Sequence, residues 1–165
     1  MVQAPSLGVE RFRTDTDPGA RATVPTDASL RVQNTWALVA PISDQVGDLF
    51  YANLFRMDPT TKPLFAGNID LQGRKLVQTL GFIVDHLEDP DRLLPAAQEL
   101  AVRHVSYGVT RTQYASVGAA LVKSLRQLLG TAFSPEDEAA WAEVYGGLSA
   151  AMIAAAYPDT SYTKV

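Results

Sequence analysis

Apolar residues recur along this chain at steps of three and four, the spacing that lays a stripe down one side of an α-helix. The first stripe is Val32, Trp36 and Val39, in a helix expected to start near Thr26 or Asp27, either of which can cap it, and to run to Pro41. A second helix, capped by Ser43, carries Val46, Phe50, Tyr51, Leu54 and Phe55. A connection containing Pro59 and Pro63 follows, and its apolar pair Leu64 and Phe65 ties it to the core. Asp70 caps a long helix through about Leu87, in which Gln72, Leu76, Leu80, Ile83 and Leu87 share one face. Glycine inside a helix costs ~1 kcal/mol against alanine. Gly47 and Gly73, in consecutive helices, therefore predict a crossing in which the two backbones nearly touch.

The segment HLEDPDRLLP breaks that helix, and the stretch Leu93 to Tyr114 follows. Leu93, Ala97, Leu100, Ala101 and His104 fall on one side of it, and Gln98, Glu99 and Arg103 on the other. Thr110 with Gln113 forms a capping-box pattern for a helix whose buried row is Tyr114, Val117, Leu121, Leu125 and Leu128, stopped by Gly130. Ser134 and Pro135 open the last helix, with Glu136, Asp137 and Glu138 at its positive end. Trp141, Val144, Tyr145, Leu148, Met152 and Ala155 form its inner stripe, and Pro158 ends it. No strand-like alternation and no repeat interrupts this order, so the fold class is all-α with about six helices.

Composition narrows the chemistry. With 165 residues, 47% of them hydrophobic, the chain suits one domain with a substantial core. Residues 1–26 hold three prolines, two glycines and mixed charge without periodicity, and read as a flexible extension. A globular domain is expected over 27–158 and a frayed tail over 159–165. A formal charge of -4 with scattered Lys and Arg argues against nucleic acid. No stretch is apolar enough for a membrane span or a secretory leader, so the expected location is cytoplasmic and no membrane partner is expected. Cysteine is absent, and His86 and His104 are the two histidines, which excludes thiolate sites and clusters of several imidazoles. His104 points where the apolar residues point. Such a histidine is either a core residue with a hydrogen-bond partner or an axial ligand to a group held in an apolar cavity.

Four runs, LFYANLFRMDPTTKPLF, QGRKLVQTLGFIV, RHVSYGVTRTQYASVG and AAWAEVYGG, stand in the order and spacing of a known family. From about Ser29 to Tyr157 the chain resembles bacterial single-domain haemoglobins, relatives of the globin domain of flavohaemoglobins, and is most similar to the Hell's Gate globin type. The resemblance implies a globin fold, a three-over-three helical sandwich around a haem pocket, with haem b as cofactor. It makes His104 the metal ligand, on the proximal side, and Phe65 the ring wedged against the porphyrin. Tyr51 and Gln72 become the distal, catalytic pair, Leu76 the apolar distal wall and Lys75 a propionate partner. Phe50, Leu80, Leu100, Tyr107, Val109, Tyr114 and Val117 complete the lining. His86 follows Gln72 by fourteen residues, roughly 21 Å along one helix, and is placed on the surface rather than at the iron.

Tyr51 and Gln72 together can donate to a bound diatomic ligand, at ~1.5–3 kcal/mol for each bond to a charged group. Such a site holds dioxygen too tightly for a carrier and suits conversion of nitric oxide to nitrate. The alternatives are a haem-based gas sensor and a plain oxygen-binding or storage protein. Dioxygen, nitric oxide and carbon monoxide are the ligands the resemblance implies. The reductase that follows the globin in flavohaemoglobins has no counterpart in this sequence, which implies an external electron-donating reductase. In that family a glutamate of the last helix and a tyrosine of the one before it strengthen the proximal histidine. Tyr114 matches the tyrosine, whereas the register set by Trp141 places Ala156 at the glutamate's position.

Overall fold

The computed structural model describes residues 26–65 and 67–157, and six α-helices carry that part of the chain. The expected extension, apart from Thr26, and the expected tail lie outside the described residues. Helix α1 (Asp27–Val39) opens on Thr26, whose hydroxyl oxygen accepts from the Ser29 N–H while the Ser29 hydroxyl oxygen accepts from the Thr26 N–H. It ends short of Pro41, because a 3₁₀ turn (Ala40–Ile42) takes over. That turn presents the Ala40 carbonyl to the Ser43 N–H. Ser43 is therefore the first residue of α2 (Ser43–Met57) and not its cap: Ile42 holds the cap position, and no side chain caps the helix.

A second 3₁₀ segment (Pro59–Phe65) leads to α3 (Ile69–Asp85). Its cap is Asn68, not Asp70, since the Asn68 side chain captures the Leu71 N–H at 3.1 Å; Asp70 sits in the first turn, where it faces the helix dipole. Helix α4 (Pro90–Ser106) begins three residues before the expected Leu93. Proline at the first helical position behind a capping Asp89 starts a helix rather than breaking one. Helix α5 (Gln113–Leu129) has half of the expected capping box: the Gln113 side chain accepts from the Thr110 N–H at 2.9 Å, while the Thr110 hydroxyl pairs with that of Thr112. Helix α6 (Pro135–Ala156) is capped reciprocally by Ser134 and Asp137.

The helices form two layers, α1, α3 and α4 over α2, α5 and α6. Trp141 fixes α6 to α1 by packing its ring at a tilt against Trp36 and donating to the buried Thr35 hydroxyl at 2.7 Å. Asn53 and Ser124 tie α2 to α5 by a buried bond of 2.9 Å. The crossing of α2 with α3 is made at the two glycines, and a Cβ on Gly47 would come within 3.1 Å of the Gly73 Cα. A Cβ on Gly73 would meet Gly47 at an ordinary 3.6 Å. Gly47→Ala is therefore expected to destabilise the fold by ~1–3 kcal/mol of overpacking, less up to ~1 kcal/mol of helix propensity regained. Gly73→Ala is expected to be neutral or stabilising, and urea unfolding of the two variants distinguishes the cases.

Candidate functional site

The apolar interior divides into two clusters. The larger one joins α1, α2, α3, α5 and α6, and half-buried Phe65, Leu76, Leu80 and Val117 pack against it. The smaller one is centred on Ala97, Ala101, Tyr114 and Met152, with Leu100 and Val109 against it. The division follows from the packing, because α4 rests on α6 and scarcely touches α3. A cavity of about 280 Å³ lies between α3 and α4. Thr79 and Ile83 line it from α3, seven and eleven residues after Gln72 and so on the same helical face. Leu93, Ala97 and Leu100 line it from α4, on the face that carries His104 one turn beyond Leu100. The faces bearing Gln72 and His104 thus oppose each other across one cleft.

On the α3 side, Tyr51 is buried and its ring stands edge-on to those of Phe50 and Phe65, each 5.0 Å away. Its hydroxyl donates to the Gln72 backbone carbonyl at 3.4 Å, a long and weak bond. Burial pushes the Tyr51 pKa up to about 12, so the phenol remains a donor well above neutral pH. Gln72 is half-buried and Lys75 is exposed.

On the α4 side, burial holds the His104 pKa below its ordinary value; the Leu100 carbonyl opposes that shift and Arg103 adds to it. The imidazole is therefore neutral at neutral pH, the form that ligates a metal. Its Nδ1 is buried without a hydrogen bond of normal geometry, and so is the Tyr114 hydroxyl. The two rings lie 6.0 Å apart. Tyr107 ends α4 with 61% of its surface exposed and its ring 6.4 Å from His104. His86, expected on the surface, is half-buried and stacked on Phe82 beyond the end of α3.

Two features escaped the sequence pattern. Arg103, assigned there to the polar side of α4, borders the cavity together with Gln78 of α3. Gly108, at φ +92°, closes α4 in a Schellman turn: the Val109 N–H reaches the His104 carbonyl and the Gly108 N–H the Val105 carbonyl, both at 3.0 Å. A glycine two residues after a helix whose last turn carries Arg103 and His104 is the signal that finds such a turn.

The family profile described as Globin matches residues 48–152, well over half of the chain. The chain belongs to the globin family. Its curated relatives include a flavohemoprotein of Bordetella parapertussis, 33% identical over 121 residues, which are 69% of this chain and 30% of that protein. A flavohemoprotein of Chromobacterium violaceum is 35% identical over 107 residues, covering 63% of this globin and 26% of its relative. The globin thus spans under a third of the length of these relatives. Membership implies haem binding, and the chemistry of the residues present fits it: a largely apolar cleft between two helices, a desolvated neutral imidazole one turn beyond Leu100 on α4, and a buried phenol that reaches the Gln72 carbonyl of α3, although His104, Tyr51 and Gln72 do not themselves line the cavity. Among the described residues no group of three or more His, Cys, Asp or Glu side chains forms a separate metal site, and no helix is long and apolar enough to cross a membrane.

Burial raises the pKa of Tyr145 and Tyr114 as it does that of Tyr51, above the ordinary value of 10.0. The folded protein keeps phenol protons that the unfolded chain loses. The stabilisation is complete below pH 10 and is lost as the pH rises through the raised values. Urea midpoints measured from neutral pH upward should be level to about pH 10 and then fall; a level profile beyond that point contradicts the burial of these hydroxyls.

Proposed function

We propose that this globin would hold haem b between α3 and α4, with His104 supplying the ligand to its iron from α4 and Tyr51 and Gln72 supplying hydrogen-bond donors from the α3 side. The observation that carries the reading is the opposition of the Gln72 and His104 faces across one apolar cleft. Bound haem supplies an iron centre that takes up a diatomic ligand and changes oxidation state. Phe65 and Leu76 pack from the α2 and α3 side and keep water from that space, and Lys75, exposed on α3, is placed to meet a propionate. Phe50, Leu80, Leu100, Val109 and Val117 extend the apolar lining, and Tyr107 stands at its edge.

The Tyr51 hydroxyl, only loosely engaged with the Gln72 carbonyl, is available to donate to dioxygen, carbon monoxide or nitric oxide. The Gln72 amide is a second donor on the same side. Two donors retain dioxygen tightly and leave it poised for attack by nitric oxide. Nitric oxide, dioxygen and one electron together give nitrate, and the electron comes from an external reductase. The test is nitric oxide consumption by the oxygenated protein in the presence of a chemical reductant. Stoichiometric nitrate with repeated turnover supports the reading; nitric oxide bound without nitrate formation reduces the protein to a ligand-binding globin.

A further inference from the structure

The chain carries a formal charge of -4, yet from residue 100 to residue 135 it has no Asp or Glu, and Arg103 and Arg111 fall in that stretch on either side of the corner between α4 and α5. The segment Pro59–Phe65 is tied to this corner. The Gln113 side-chain amide donates to the Thr60 hydroxyl at 3.1 Å, and a Cβ on Gly108 would meet the Leu64 side chain at 3.6 Å. The segment adds Lys62 and no carboxylate. Asp58, which precedes it, accepts from the Ser116 hydroxyl and the Thr60 N–H. Lys62, Arg103 and Arg111 are exposed, and among the described residues none of the three forms an ion pair. Three cations beside one hydrogen-bonded carboxylate make this corner positive on an acidic protein.

Between the cations the corner exposes apolar surface: Val102 is 60% exposed, Val105 43% and Tyr107 61%. Val102 and Val105 are three residues apart and lie side by side on α4, and Arg103 lies one turn before Tyr107 on its side of the helix. Apolar residues scattered singly need no explanation, but three within six residues, rimmed by charge, have the composition of an interface. The Tyr107 ring is also 6.4 Å from that of His104. A molecule seated on Tyr107 is therefore one aromatic ring away from the imidazole.

We infer that this corner, with Tyr107 at its centre, is the docking surface for an acidic one-electron carrier protein. The inference rests on the reading of His104 as the iron ligand and names the partner that supplies the electron required above. Opposite charge selects an acidic carrier and speeds its encounter, while the small apolar centre gives a contact brief enough to release the spent carrier. The carrier is oxidised by one electron and ferric haem iron is reduced by it; no bond forms or breaks, and no proton moves.

The test takes a plant-type ferredoxin, a small acidic iron–sulfur protein, as the probe. Its binding to the haem-free chain is read by isothermal titration, and its reduction of the haem-loaded chain by stopped flow at the Soret band. Both should weaken as salt is added. Lys62→Glu combined with Arg111→Glu should weaken binding and slow reduction by at least ~10-fold at low salt, and leave reduction by dithionite unchanged. Lys62→Glu alone should act in the same direction by less, and carries the test if the double variant does not fold. Arg92→Glu, the same change of charge at the far end of α4, should leave both readings near wild type. Wild-type binding and reduction in the Lys62 and Arg111 variants, or a wild type indifferent to salt, would overturn the docking surface. Loss of a chain dimer in those variants with ferredoxin binding unchanged would overturn it too, and make the corner a contact between copies. A chain that binds ferredoxin through these cations but takes up no haem overturns instead the reading of His104.

Discussion

His104→Ala is expected to abolish tight haem binding while the helices stay folded. Loss of an outer partner of a metal ligand already costs ~10–100-fold in affinity, and loss of the ligand itself costs more. The apoprotein has little to lose, because the imidazole nitrogen removed is a buried one without a normal partner. Its neighbours on α4, Ala97, Leu100 and Ala101, hold the helix to α6 through the smaller apolar cluster, from which the substitution removes only the ring beside Tyr114. Haem transfer to an excess of scavenging apoprotein should accelerate by at least ~100-fold, a limit taken from the outer-partner effect. Free imidazole, small enough for the space the side chain leaves, should slow it again. Unchanged transfer would place the iron ligand elsewhere.

Tyr51→Phe is expected to speed oxygen dissociation by roughly 10–100-fold, the equivalent of one hydrogen bond to a charged group. The cost to the fold is small. Phenylalanine keeps the edge contacts with Phe50 and Phe65, and the bond it forfeits to the Gln72 carbonyl is already weak at 3.4 Å. Stopped-flow displacement of oxygen by carbon monoxide measures the rate. A wild-type rate would remove Tyr51 from the ligand's surroundings, and a similar comparison with Gln72→Leu divides the effect between the two donors.

The helices, the glycine crossing and the side of α4 on which His104 lies were legible because each is written in local spacing. Gly47 and Gly73 announce themselves as unfavourable residues in strong helical patterns, and the 3.1 Å approach of a Cβ on Gly47 to the Gly73 Cα supplies the reason for the first of them. What was misread lay where two local signals compete. The run HLEDPDRLLP reads as the end of one element although proline behind an aspartate opens the next, and Asn68 holds the cap position expected of Asp70. Arg103, on the polar side by helical spacing and exposed as expected, also borders the cavity, because its long side chain reaches the edge of the apolar face. Tyr157 had no signal in the helical period at all: its hydroxyl meets Val109, 48 residues away, and such a contact exists only after α4, α5 and α6 have packed.

The division of the interior into two clusters is the physical root of the site. Small residues on α4, Ala97 and Ala101, let that helix settle on α6, while the bulkier row of α3 packs toward α2 and α1. The two helices therefore diverge, and their apolar faces turn toward shared space instead of each other. The central claim is that this space takes one haem with His104 as its ligand. Titration of the apoprotein with haemin, followed at the Soret band, tests it most directly. A sharp break at one haem per chain, lost in His104→Ala and partly restored by free imidazole, is the predicted result. Absence of a Soret band, or an identical titration in the variant, would contradict it.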